Sequence, residues 1–120
     1  MRKIITAAVS VAMFAGAFAL MAPAAHAIPH CDGETIVGTF QNDRLVGTDC
    51  DDSIYGLPGN DVLRGRLGYD VLRGGRGDDV LSDLSFLVGG ELRGGRGFDR
   101  CIVAEGSDVQ IFSCEEIVEV

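Results

Sequence analysis

The 120-residue chain has no tryptophan, and its aromatic side chains amount to 6 phenylalanines and 2 tyrosines. A domain this short, with so few large apolar groups, has a marginal core unless another device holds it together. Basic residues are scarce as well, 10 against 18 acids, for a formal net charge of −8. Arg2 and Lys3 are the only charged residues before Ile28, so the acidic excess falls wholly on the 93 residues that follow. Such a surface cannot neutralise the phosphates of a nucleic acid or of an anionic membrane, and it suits a cationic partner such as a metal ion. Beyond residue 27 the only histidine is His30, and none of Ser53, Ser82, Ser85, Ser107 and Ser113 lies in a G-x-S-x-G turn. With no nucleophile and base at a fixed spacing, the chain reads as a non-enzyme. No apolar run after residue 27 is long enough to cross a membrane.

Met1-Arg2-Lys3 is followed by an apolar, small-residue-rich stretch from Ile4 to Met21 and then by Ala25-His26-Ala27. This is the grammar of an export signal peptide cut after Ala27. Residues 1–27 are expected to be removed and the protein from Ile28 onward to be secreted and extracellular, with nothing left to hold it in a membrane. Four cysteines remain, Cys31, Cys50, Cys101 and Cys114. An even number in a small exported chain reads as two disulfides, for which three connectivities exist. Closeness in sequence favours Cys31–Cys50 and Cys101–Cys114, one bridge at each end. With no C-x-x-C pair, a zinc–thiolate site is not expected.

Sixteen of the 17 glycines also lie beyond residue 27, and they are periodic. Asp43, Asp52, Asp61, Asp70 and Asp79 stand nine residues apart. Two residues after each comes an aliphatic: Leu45, Ile54, Leu63, Leu72 and Leu81. Five before each comes a glycine: Gly38, Gly47, Gly56, Gly65 and Gly74. A second glycine row holds Gly59, Gly68 and Gly77, with Gln41 and Cys50 in its place in the first two copies. Asp83 to Arg93 is an eleven-residue copy with no aspartate in register, after which Gly94 to Asp99 nearly restates Gly74 to Asp79. A last, degraded copy carries Gly106 and Asp108. Self-similarity at a short fixed period is the signature of a solenoid.

The pattern resembles the RTX, or hemolysin-type, calcium-binding repeat G-G-x-G-x-D-x-U-x, with U a large aliphatic. The resemblance spans about residues 38–111, and Gly74–Ser82 matches the whole nonapeptide. It implies an all-β fold, a parallel β-roll in which six residues turn, three form a short strand and two nonapeptides complete one coil, with disulfide-stapled ends. On that reading residues 28–37 form an N-terminal cap, 38–102 the calcium-binding repeats, and 103–120 a degenerate last repeat with a C-terminal cap. Copies stack on their second neighbours. Asp43, Asp61, Asp79 and Asp99 then share one edge, and Asp52, Asp70 and Asp108 the other, with a gap at the eleven-residue copy.

Elementary chemistry agrees. A glycine-rich turn reaches φ > 0 and brings its carbonyls inward, and calcium takes six to eight oxygens from carboxylates and carbonyls together. One turn cannot supply that shell, whereas two stacked turns can. Coils stack about 4.8 Å apart, so a bare column of carboxylates repels itself and metal binding becomes part of folding. The expected ligands are Asp61, Asp79, Asp99, Asp43, Asp52 and Asp70, with the turn residues Gly56, Gly59, Gly74, Gly75, Gly77, Gly94, Gly95 and Gly97. Together they would hold roughly two to four calcium ions.

Leu45, Ile54, Leu63, Leu72, Leu81, Leu92 and then Cys101 should form the inward row, with Ile111, Phe112, Ile117 and Val118 covering the last coil. Val62, Val71 and Val80 should face outward, and Leu84 to Val88 should form a bulge packed back onto the roll. Asp51 and Asp78 read as solvated turn charges, and Asn42 and Asn60 as turn formers. Arg64, Arg66, Arg73, Arg76, Arg93 and Arg96 read as local charge balance. The alternative is a calcium-stabilised surface adhesion module whose arginines meet a cell-surface polysaccharide or protein.

Overall fold

The computed structural model describes residues 31–120, so the expected signal peptide lies outside the described residues. Ten short strands follow one another: β1 (Thr35–Val37), β2 (Arg44–Val46), β3 (Ser53–Pro58), β4 (Val62–Arg64), β5 (Asp70–Arg76), β6 (Val80–Asp83), β7 (Gly90–Arg96), β8 (Arg100–Val103), β9 (Val109–Phe112) and β10 (Glu116–Glu119). Nine residues are too few for a strand, a turn and a return to the same side. Each copy therefore delivers its strand to the sheet opposite the previous one. Odd-numbered strands make one five-stranded sheet, β1-β3-β5-β7-β9, and even-numbered strands the other, β2-β4-β6-β8-β10. Every pairing is parallel, and the product is a β-solenoid of about 5 turns.

The register displays the repeat directly. Ile36, Ile54, Leu72, Leu92 and Ile111 pair in series across one sheet. Leu45, Leu63, Leu81, Cys101 and Ile117 do so across the other. Because side chains alternate along a strand, both rows point into the space between the sheets. Ile54, Leu63, Leu72, Leu81, Leu92 and Cys101 are completely buried there. The neighbours Val62 and Val80 pair on the outer face of one sheet, and Val71 lies on that of the other.

The ends continue the solenoid. β1 pairs with β3 and β10 with β8 in the same parallel sense, so both expected caps contribute strands to the sheets. Cys31–Cys50 and Cys101–Cys114 are the disulfides, with Cα atoms 5.3 and 6.0 Å apart. Three details differ from expectation. Pairing of Leu92 with Ile111 puts Val109, not Asp108, opposite Gly90, and Asp108 is exposed. The same alternation turns Phe112 outward, where the Arg93 guanidinium lies 4.5 Å from its ring centroid. In the eleven-residue copy Ser85 is buried, but Leu84, Phe86, Leu87 and Val88 stand in solvent. The extra residues leave the sheet edge before they can pack on it.

Candidate metal centre

Each regular copy places one carboxylate at the junction of turn and strand, and an inner chain of hydrogen bonds links these carboxylates from coil to coil along each edge. The amide of Asp43 donates to Asp61 Oδ1 (2.8 Å), that of Asp61 to Asp79 Oδ1 (2.7 Å) and that of Asp79 to Asp99 Oδ1 (2.8 Å). The amide of Asp99 donates to Glu115 Oε2 (2.9 Å), so a glutamate outside the repeat closes this edge. On the opposite edge the amide of Glu34 donates to Asp52 Oδ1 (2.7 Å) and that of Asp52 to Asp70 Oδ1 (2.9 Å). A second chain runs outside the first with the reverse polarity. Asn42 and Asn60 accept from the amides of Asn60 and Asp78, and Asp51 and Asp78 accept from those of Tyr69 and Phe98. The turn residues expected to be mere solvated charges or turn formers thus register the coils.

The second carboxylate oxygens divide the ladder in two. Asp43 Oδ2 accepts from the Thr39 amide (2.6 Å) and hydroxyl (2.9 Å), and Asp52 Oδ2 accepts from Thr48 in the same way (2.6 and 3.0 Å). In later turns the residue after the first glycine is Leu57, Arg66, Gly75 or Gly95, each with positive φ (75, 91, 114 and 114°). That backbone is costly for leucine and arginine, and it accompanies turns in which no donor reaches the second carboxylate oxygen. Asp61, Asp70, Asp79 and Asp99 are completely or almost completely buried, and their Oδ2 atoms have no hydrogen-bond partner. A buried charged oxygen left so is expensive unless a proton or a cation meets it.

The first glycine of each turn shows what faces these oxygens. A methyl group placed on Gly56 would lie 2.5 Å from Asp61 Oδ2 and 2.7 Å from the carbonyl oxygen of Gly74 in the next coil. At Gly74 the corresponding pair is Asp79 Oδ2 with the Gly94 carbonyl, and at Gly94 it is Asp99 Oδ2 with the Ser113 carbonyl. Carboxylate and carbonyl oxygens therefore converge on one small space, a donor set made only of hard oxygens. The second-row glycines permit this stacking. Gly97 has φ 138°, and a methyl group on it would strike the Gly77 carbonyl. Among the described residues no three acidic, histidine or cysteine side chains meet at one point, so backbone oxygens must complete any cation shell.

The eleven-residue copy departs from the pattern. Asp83 stands in the row of first-turn glycines, one residue beyond the pair Arg64↔Ser82 and therefore beside Gly65, while Gly90 stands opposite Asp70 in the aspartate row. Aspartate and glycine have exchanged places. A methyl group on Gly90 would collide with Asp83 Oδ2, just as methyl groups on the other first-turn glycines would collide with the ladder aspartates. Asp83 is completely buried, Oδ1 accepts from the Ser85 amide (3.0 Å) and hydroxyl (2.7 Å), and Oδ2 has no partner. The gap expected after Asp70 thus contains a carboxylate reached from the other side.

Burial raises the pKa of Asp61, Asp83 and Asp99 in the metal-free chain. Asp70 is pushed up to about 7, by burial first and then by the charges of Asp83, Asp52 and Asp51. Asp79 is pushed up to about 6, by burial and then by Asp99, Asp61 and Asp78. In both, the amide donated from the preceding coil works the other way.

Residues 32–63 and 55–82 match the family described as RTX calcium-binding nonapeptide repeat (4 copies). Residues 32–82 carry RTX repeats. No curated protein and no solved structure matches it. The RTX repeats bind calcium in a β-roll, and the family is generally non-catalytic. Repeats and disulfides of this kind are typical of extracellular proteins. The residues fit the ion. Unpartnered Oδ2 atoms and carbonyls aimed at the same space make an all-oxygen donor set, which suits calcium better than a softer metal.

Of the other polar residues, Arg66 pairs with Asp49 (3.1 Å), while Arg73 and Arg93 both reach Glu91 (3.4 and 3.3 Å). Arg73 also lies over Tyr55. Sequence reasoning missed Thr39, Thr48, Glu115 and Asp83. The threonines were visible, at one fixed place in two turns. Glu115 and Asp83 break the period and had no signal.

Proposed function

We propose that the chain is a secreted calcium-binding RTX β-roll whose folding is coupled to the calcium it meets outside the cytoplasm. The observation that carries this reading is the set of buried ladder oxygens with no donor, at Asp61, Asp79 and Asp99 on one edge and Asp70 on the other. The first ions lie between the Gly56–Asp61 and Gly74–Asp79 turns and between the Gly74–Asp79 and Gly94–Asp99 turns. Gly59, Gly75, Gly77, Gly95 and Gly97 let those turns stack. A third involves Asp70. Asp43 and Asp52 fill last, because threonine already serves their second oxygens. Roughly two to four ions result, each drawing on two coils for its oxygens.

Circular dichroism of the oxidised chain from Ile28 onward tests the coupling. Millimolar calcium should raise the β signal and chelator should abolish it. A full β signal in chelator overturns the coupling, and no calorimetric heat with calcium overturns the site. The role proposed is non-catalytic, as is general for the family. The alternative, an adhesion module for an anionic polysaccharide, has one feature in its favour. A cleft of about 340 Å3 is lined by Arg64, Arg66, Ser82, Leu84 and Ile102. Its other candidate arginines, Arg73 and Arg93, are engaged by Glu91. Glycan-array binding lost on Arg64→Ala, with the β signal kept, would favour that role.

A further inference from the structure

We propose that the irregular copy holds a divalent-cation site of its own, between Asp70 and Asp83, in which the second carboxylate comes from the glycine row. The inference deepens the calcium reading above and rests on it. Two rows run along this edge. The first-glycine row reads Gly47, Gly65, Asp83 and Val103, and the aspartate row reads Asp52, Asp70, Gly90 and Val109. In the coil of Asp70 the carboxylate extends from the strand toward Gly65, which a methyl group would bring into collision with Asp70 Oδ2. In the coil stacked on it, Asp83 extends the opposite way, toward Gly90. The two carboxylates thus lie head to tail in adjacent coils, separated by about one strand spacing of 4.8 Å.

Neither residue exposes any surface, and both Oδ2 atoms lack a hydrogen-bond partner. Their remaining oxygens are already engaged, Asp70 Oδ1 by the Asp52 amide and Asp83 Oδ1 by Ser85. Beyond Asp83 the edge is closed by buried Val103 and half-buried Val109, which offer no side-chain donor. Two buried carboxylates in adjacent coils, each with one unpartnered oxygen and dry on the far side, need a cation beside them. On the regular edge each space pairs one carboxylate with one carbonyl. At Gly90 likewise a methyl group would meet Asp83 Oδ2 and the backbone carbonyl of Asp70, and the Asp70 carboxylate adds its charge from the adjacent coil, a hard-oxygen set of the kind a divalent ion takes.

Calcium titration calorimetry on the oxidised protein tests the assignment by counting ions. Asp83→Asn, which keeps the size of the side chain, should bind one ion fewer than wild type. Asp79→Asn should lose an ion from the other edge and keep the one at Asp83. Equal numbers and affinities in wild type and Asp83→Asn overturn the site and leave Asp83 as a protonated structural group. If Asp83→Asn does not fold, the exchange variant Asp83→Gly with Gly90→Asp decides. The same ion count as wild type supports the site, and one ion more in the exchange variant shows that Asp83 holds none. A wild-type protein that binds no calcium at all removes the calcium reading itself, together with this site.

Discussion

Thr48 and Arg66 occupy equivalent places in successive coils of one edge, yet only Thr48 hands its amide to the ladder carboxylate of its own turn. With its hydroxyl donating to Asp52 Oδ2 and accepting from the Cys50 amide (3.1 Å), threonine completes that turn without metal. Thr48→Val keeps the shape and removes both bonds. It should cost about 1–3 kcal/mol, read as a lower urea midpoint at saturating calcium, and an unchanged midpoint would contradict the role. Asp79→Asn should act in opposite senses with and without calcium. An amide NH2 at the Oδ2 position faces the Gly94 carbonyl, so the metal-free roll gains a hydrogen bond in place of an unpaired charge. In calcium the same change removes the carboxylate of the space at Gly74. Thermal melts in chelator should rise relative to wild type, and the calcium-induced increase in Tm should shrink.

Strands and turns follow the nine-residue step because the two halves of each copy differ in what they do. Three residues present one inward aliphatic, and six reverse the chain. The turn is the more exacting half. Gly97→Ala would drive a methyl group into the Gly77 carbonyl in a left-handed backbone, whereas Gly106 has φ 80° with nothing within 4 Å. Gly106→Ala should cost only the conformational penalty of about 1–2 kcal/mol. Gly97→Ala should cost distinctly more, enough to lower the calcium-saturated Tm well below that of Gly106→Ala. Equal effects would mean that coil stacking at the turns contributes nothing. The element that misbehaves, the eleven-residue copy, keeps its carboxylate in the column only because Asp83 takes the glycine's place.

Across the molecule, stability depends on what neutralises a buried acidic column. Asp70 at about 7 and Asp79 at about 6 lie above their value in the unfolded chain. The metal-free fold therefore binds more protons than the unfolded chain between about pH 4 and 7, and its stability falls as pH rises through that window. Calcium should reverse the trend, because protons compete with it for the same oxygens. Circular dichroism from pH 4 to 8 should show a metal-free β signal that weakens with rising pH, and a calcium affinity that strengthens over the same range. A metal-free signal that grows with pH would contradict the assignment of unpaired carboxylates. The period, the core row from Ile54 to Cys101, the two edges and the disulfide pairs were all legible in the sequence, because a solenoid repeats one local rule and sequence spacing translates directly into stacking. What only the tertiary structure decided are the places where two coils answer each other. Threonine satisfies one carboxylate and a left-handed peptide abandons the next, Glu115 closes an edge from outside the repeat, and Asp83 and Gly90 trade places. Those outcomes depend on which atoms meet across a coil spacing, and no period along a single chain records that.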